Sequence, residues 1–245
     1  MNTPDDHPAT LAPAGSRLNR LAARLAGVIL APRRTLPRAA AEPDYWLAIL
    51  LVVVAFLGVR LMSLPEIRSH YSSPEFIEWY AKQRGLTQAE AERDATTLSR
   101  TAALQAVVEA PLVIITEVLF VTLILYLIGR LGYRGTVRFK SVFSMTAWAT
   151  MVSGVQLFLT IPLKLINPDW NLEISLALLF PADLVGGYLH RFLAALDLFT
   201  VWRVWLLGIG LAALYRISLQ RAIGAVGTLF IFFAVMNALL SAPAK

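Results

Sequence analysis

Five apolar stretches constrain this chain more than any other feature: Tyr45 to Leu64, Ala102 to Ile128, Val142 to Leu163, Phe192 to Ile217 and Ala222 to Leu240. A hydrocarbon core about 30 Å thick is crossed by a helix of roughly 20 mostly apolar residues. Backbone exposed to lipid must satisfy its own hydrogen bonds, which leaves helices or closed barrels. Windows of this length predict helices, so the expected fold class is all-α: a polytopic membrane protein with a five-transmembrane-helix bundle. Composition agrees, with 57% hydrophobic and 16% charged residues over 245 positions, where a soluble domain carries roughly a quarter charged. The first window begins only at residue 45, exceeds a signal peptide's apolar region and lacks a small-residue exit, so it is read as a retained span.

Charge placement then predicts orientation. Arg17, Arg20, Arg24, Arg33, Arg34 and Arg38 precede the first span. Arg130, Arg134, Arg138 and Lys140 fill the second connection, and Arg216 with Arg221 flank the fourth, neither containing an acid. The first connection, Pro65 to Thr101, has five Lys/Arg against six Asp/Glu, and the third, Lys164 to Arg191, has two against three. Cationic flanks stay in the cytoplasm. The expected arrangement is a cytoplasmic (inner) membrane protein with its N-terminus cytoplasmic and its C-terminus outside. Residues 1–40 form a cytoplasmic tail and residues 41–245 the membrane domain, with an outer helical insert at 65–101.

Within the tail, residues 1–16 are expected to be disordered. Leu18, Leu21, Leu25, Val28 and Ile29 then recur at helical spacing with Arg17, Arg20 and Arg24 off that face. This predicts a basic amphipathic helix on the anionic leaflet, ended by Pro32. The same arginines lack any nucleic-acid fold or stacking platform, so no nucleic-acid partner is expected. In the insert, Ser73 and Pro74 start a helix and Gly85 stops it, while Thr87 with Glu90 forms a capping box. A kink is expected at Pro111, a turn at Asn167 to Asp169, and an interfacial or re-entrant piece over Ile174 to Gly187.

Charges inside the windows need partners, because insertion scales put each at about 2.5 to 3.5 kcal/mol or more at the bilayer centre. With residues rising about 1.5 Å each, Glu117 falls near mid-membrane in the second span and Arg203 within a turn of mid-membrane in the fourth. They are expected to form an intramembrane ion pair. Glu109, Gln156, Asp197 and Asn237 all fall in the outer half. They read as an outer polar pocket, or as unrelated residues each near the headgroups. Gly208 with Ala212 and Ala149 with Ser153 are small-xxx-small spacings that suit close helix packing.

Chemistry is harder to find. With no cysteine, thiol catalysis, disulfides, Cys-ligated zinc and iron–sulfur clusters are excluded. The chain lacks the G-x-S-x-G, H-E-x-x-H, P-loop and G-x-G-x-x-G patterns. His7, His70 and His190 are scattered without ligand spacing, so no catalytic residue, metal or cofactor is expected.

Three segments carry a resemblance. They are "LAPRRTLPRAA" from Leu30 to Ala40, "RGTVRFKSVFSMTAWA" from Arg134 to Ala149, and "LDLFTVWRVWLLGIGLA" with Asp197, Phe199, Trp202 and Gly210. Over roughly Val28 to Leu240 the chain resembles the bacterial branch of the Yip family, whose eukaryotic members are Ypt- and Rab-interacting membrane proteins. The resemblance implies five spans, a cytoplasmic N-terminus and no known enzymatic activity. It carries over no catalytic residue, and nothing in the chain indicates a GTPase partner. The expected function is a non-enzymatic membrane scaffold, organiser or trafficking/assembly factor whose partners are the lipid bilayer and other membrane proteins or copies of itself. The alternative is a small transporter or channel subunit using the outer-half polar residues. An intramembrane hydrolase is set aside for want of a nucleophile and base.

Overall fold

A computed structural model describes residues 17–42, 44–166, 175–180 and 187–240. Its helices are α1 (Arg17–Leu30), α2 (Pro32–Ala41), α3 (Tyr45–Tyr71), α4 (Pro74–Arg84), α5 (Gln88–Leu127), α6 (Phe139–Ile166), α7 (Gly187–Ala194), α8 (Leu198–Tyr215) and α9 (Leu219–Leu240). A wide π turn, Ile128–Gly132, ends α5, and a short 3₁₀ turn, Leu176–Leu179, precedes α7. The expectations for residues 1–16, for the turn at Asn167 to Asp169 and for residues 174 and 181–186 of the interfacial or re-entrant piece lie outside the described residues.

Five helices are long and apolar enough to cross a membrane: α3, α5 with its π turn, α6, α8 and α9. They are not equivalent. Half or more of the apolar windows of α6 and α8 is buried inside the bundle, against 17% for α3 and α9. The centre is therefore protein-lined, while α3 and α9 keep most of their apolar windows on the outside of the bundle. α6 packs between α3, α5 and α8, and α9 lies along α8. Trp148 and Met145 of α6 and Leu206, Leu207 and Leu211 of α8 are fully buried at this centre.

Close approach requires small residues at two places. A Cβ at Gly208 would sit 2.6 Å from Cγ1 of Ile223, and one at Gly210 would collide with the Met145 side chain. In lipid, where burial of apolar surface drives no association, such contacts supply the packing.

The segment before the first span joins this core. Pro32 does end α1, yet it also opens α2, whose Leu36, Ala39 and Ala40 are buried against α6 and α8. Ser144 Oγ donates to the carbonyl of Ala39 at 2.7 Å, and Trp148 Nε1 donates to that of Asp44 at 3.0 Å. Arg24 of α1 bonds Glu42 at 2.5 Å, and Val28 is buried. The α1–α2 hairpin is thus pinned at one end of the bundle.

At the other end, α3 and α5 outrun the bilayer. At about 1.5 Å per residue, 27 and 40 residues give lengths of about 40 and 60 Å. α4 packs on the projecting part of α5. Ser73 Oγ accepts from the amide of Phe76 at 3.2 Å, Gly85 closes α4 at φ +66°, and Thr87 and Glu90 exchange the bonds of a capping box. Phe76 sits against Tyr71 and Tyr80, with ring centres 4.9 and 5.8 Å apart.

Two helix limits differ from the sequence reading. α3 passes Pro65 and continues to Tyr71, since proline removes only one backbone bond and the aromatic contacts beyond it hold the extra turns. The fourth window is interrupted: α7 ends at Ala194 and α8 begins at Leu198. Hydropathy misses this break because the turn, Ala195–Leu196, is itself apolar. α5, by contrast, runs through Pro111 without ending.

Candidate functional site

The break after Ala194 decides the position of Asp197. It is the N-cap of α8, accepting from the amide of Thr200 at 2.6 Å and from its hydroxyl at 3.1 Å. A carboxylate there satisfies free amides of the first turn and meets the positive end of the helix dipole. Gln156 Nε2 of α6 donates to the same carboxylate at 3.4 Å. Gln156 opposite Asp197, with Met145 opposite Gly210, shows that α6 and α8 run antiparallel.

Six residues further along α8, a rise of about 9 Å from Asp197, lies Arg203. It is 8% exposed and forms an ion pair through Nη1 with Oε1 of Glu117 on α5. The guanidinium lies 5.6 Å from the ring centre of Phe230 on α9. Its Nε and Nη2 are buried with no hydrogen-bond partner among the described residues. Glu117 is less enclosed, keeping 39% of its side-chain surface. The pair neutralises a charge that hydrocarbon would not tolerate alone, and it joins α5 to α8.

Beside this pair, α8 and α9 diverge around an open cavity of about 380 Å³. Its wall is mostly apolar, including Val201, Val204, Phe230 and Ile231, and Thr200 and Asn237 are its polar members. Gly227 contributes to the opening, its nearest neighbour across the gap being Val204 Cγ1 at 3.9 Å from a Cβ position.

Of the residues singled out in the sequence, the structure brings Glu117 to Arg203 and Gln156 to Asp197. Thr200 links Asp197 to the cavity on which Asn237 lies. Glu109 stands apart, exposed on α5 with no hydrogen bond or ion pair to a described residue. Among the described residues no group of three His, Cys, Asp or Glu side chains converges as a metal site. His190 is engaged with the carbonyl of Phe180 at 3.0 Å.

Sequence reasoning missed Tyr215. This last residue of α8 is 8% exposed, and its ring fills the space that a Cβ would take at both Gly129 and Gly135. Two glycines flanking a basic turn were the available signal.

Comparison with curated proteins and with solved structures found no match. The family model described as the Yip1 domain matches residues 26–240, a range that takes in α2, all five long apolar helices and the Asp197 cap. With nearly the whole bundle inside that match, this multi-pass membrane protein belongs to the Yip1 family.

Proposed function

We propose that the chain acts as a non-enzymatic scaffold, organiser or trafficking/assembly factor of the cytoplasmic membrane, working through contacts with other membrane proteins or further copies of itself. Members of its family are not known as enzymes. The observation that carries the reading is the closed centre of the bundle. Trp148, Leu206 and Leu207 fill it, Gly210 lets Met145 pack flush, and Arg203 is neutralised by Glu117. A helical projection built from α3, α4 and α5 adds surface beyond the membrane, with Trp79 exposed on α4.

The orientation that goes with this reading has the N-terminus and the cation-rich turns in the cytoplasm and the C-terminus outside, as the positive-inside rule requires. Residues 1–40 are the cytoplasmic segment, with α1 at the leaflet surface, and residues 41–245 form the membrane domain. A reporter fused after Lys245 is active only outside the cytosol on this reading; activity in the cytosol overturns the orientation.

A second reading has one observation in its favour. The Gln156–Asp197 contact and the cavity carrying Thr200 and Asn237 lie at the same end of the bundle, as a small transporter or channel subunit would need. Proteoliposomes loaded with potassium and a pH dye separate the two. The scaffold reading expects leakage no greater than from protein-free vesicles, together with crosslinks to neighbouring proteins in native membranes. Flux carried by the wild type and lost in Asp197→Asn, which keeps a side chain able to cap α8, overturns it.

A further inference from the structure

Two turns that are far apart in sequence are locked together at the α2 end of the bundle. The ring of Tyr215, at the end of α8, sits directly on Gly129 and Gly135, which bracket the turn after α5. Tyr133 Oη donates to the carbonyl of Arg221 at 3.4 Å. These contacts join the connection that carries Arg130, Arg134, Arg138 and, against the ring of Tyr45, Lys140 to the turn that carries Arg216 and Arg221. All six side chains are exposed. Among the described residues none of these six has an acid within 4 Å; the acids that pair there are held by Arg24 and Arg203. Arg130 is steered by the hydroxyl of Tyr126 at 2.8 Å, a contact that directs its charge without cancelling it.

Three further features give the missing anion a character. The turns close helices of membrane-spanning length, which puts them at headgroup depth rather than in bulk water. Leu131, in the same turn as the arginines, is 73% exposed, an apolar contact beside concentrated positive charge. The hydroxyl of Tyr215 is buried in the seam with no hydrogen-bond partner among the described residues, a donor that the two turns leave unused. Guanidinium groups match phosphate oxygens in two-pronged geometry, and basic pockets between spanning helices hold anionic lipid headgroups. We propose that the seam between these two turns is a binding site for the phosphate group of an anionic phospholipid. A general attraction of positive loops to the membrane needs only their charge; this site also needs Tyr133, Tyr215, Gly129 and Gly135 to hold the two turns together.

The test uses the full chain in nanodiscs of phosphatidylcholine with a minority of phosphatidylglycerol or cardiolipin, reading the lipids retained by native mass spectrometry. The wild type is expected to retain anionic lipid several-fold above its share of the bilayer. R134Q/R216Q, which takes one cation from each turn, returns retention to the bulk share, and R134K/R216K, which keeps both charges but not the two-pronged geometry, loses only part of it. R33Q/R34Q, an equal charge loss on α2, leaves retention unchanged. Tyr133→Phe keeps all six cations and weakens retention by loosening the seam. Monodisperse elution and helical circular dichroism verify that each variant folds. Equal loss in R33Q/R34Q, or no loss in R134Q/R216Q, overturns the proposal. So does displacement of the lipid by inorganic phosphate or by an RNA oligonucleotide at comparable concentration, which would identify a soluble anion as the ligand.

Discussion

Arg203 and Glu117 form an ion pair that is enclosed on one side only: the arginine side chain is 10% exposed and the glutamate side chain 39%. The pair is therefore asymmetric in what each partner loses when left alone. An unpaired guanidinium stays charged in a buried site, because arginine does not deprotonate in proteins. An unpaired Glu117 can turn toward the open side. The acid is thus the more consequential half of the contact.

Glu117→Gln is expected to destabilise the bundle by about 2 to 4 kcal/mol, toward the low end because the carboxylate is partly exposed. Arg203→Met, which keeps much of the side-chain volume, costs less. The double variant recovers part of the Glu117→Gln loss. Thermal unfolding in detergent micelles measures all three, and strict additivity would refute a contact between the two charges.

The glycines give a second contrast. Gly129→Ala and Gly135→Ala drive a methyl group into the Tyr215 ring, and overpacking of this kind costs about 1 to 3 kcal/mol. Gly224 on α9 faces open space, so Gly224→Ala has only the helix propensity term, a gain of up to about 1 kcal/mol. Combining Gly135→Ala with Tyr215→Ala relieves the clash, and the pair should unfold at a higher temperature than the sum of the two single losses implies.

Parts of this architecture were legible in the residues themselves. Apolar windows found the five long helices, and local chemistry at Ser73, Gly85, Thr87 and Glu90 marked the ends of α4 and the start of α5, since caps depend on neighbours three or four positions apart. Counting residues along the helices put Glu117 and Arg203 at a common depth, but the uneven enclosure of the pair depends on Phe230 and α9, which no spacing reveals. The burial of α2 was hidden because "PRRTLPRAAA" is short, basic and broken by proline; only its position against α6 and α8 makes Leu36 a core residue. Asp197 was obscured for the opposite reason, a turn made of apolar residues that looks like uninterrupted span.

Leu36 permits a direct test of how α2 is held. Its side chain is fully buried, whereas Leu30, six residues earlier, is 81% exposed. Leu36→Ala is expected to cost about 2 to 5 kcal/mol, as for other core truncations, and to expose the α1–α2 hairpin to limited proteolysis after its arginines. Leu30→Ala leaves both stability and the cleavage pattern as in the wild type. Ser144→Ala, which removes one buried bond to the Ala39 carbonyl, falls between them at about 1 kcal/mol.

At Asp197 capping and charge are separable. Asp197→Ala removes the acceptor for the Thr200 amide and is expected to cost about 1 kcal/mol, more if the end of α8 is poorly hydrated. Asp197→Ser keeps a capping oxygen and discards the charge, so a residue retained for its cap shows stability restored nearly to wild type. Asp197→Asn should behave alike and keep the contact region with Gln156 occupied. Differential scanning fluorimetry of the three variants decides it. If serine and asparagine are as damaging as alanine, the negative charge itself is needed at this position, and the cavity beside Thr200 and Asn237 becomes the first place to look for the cation that it serves.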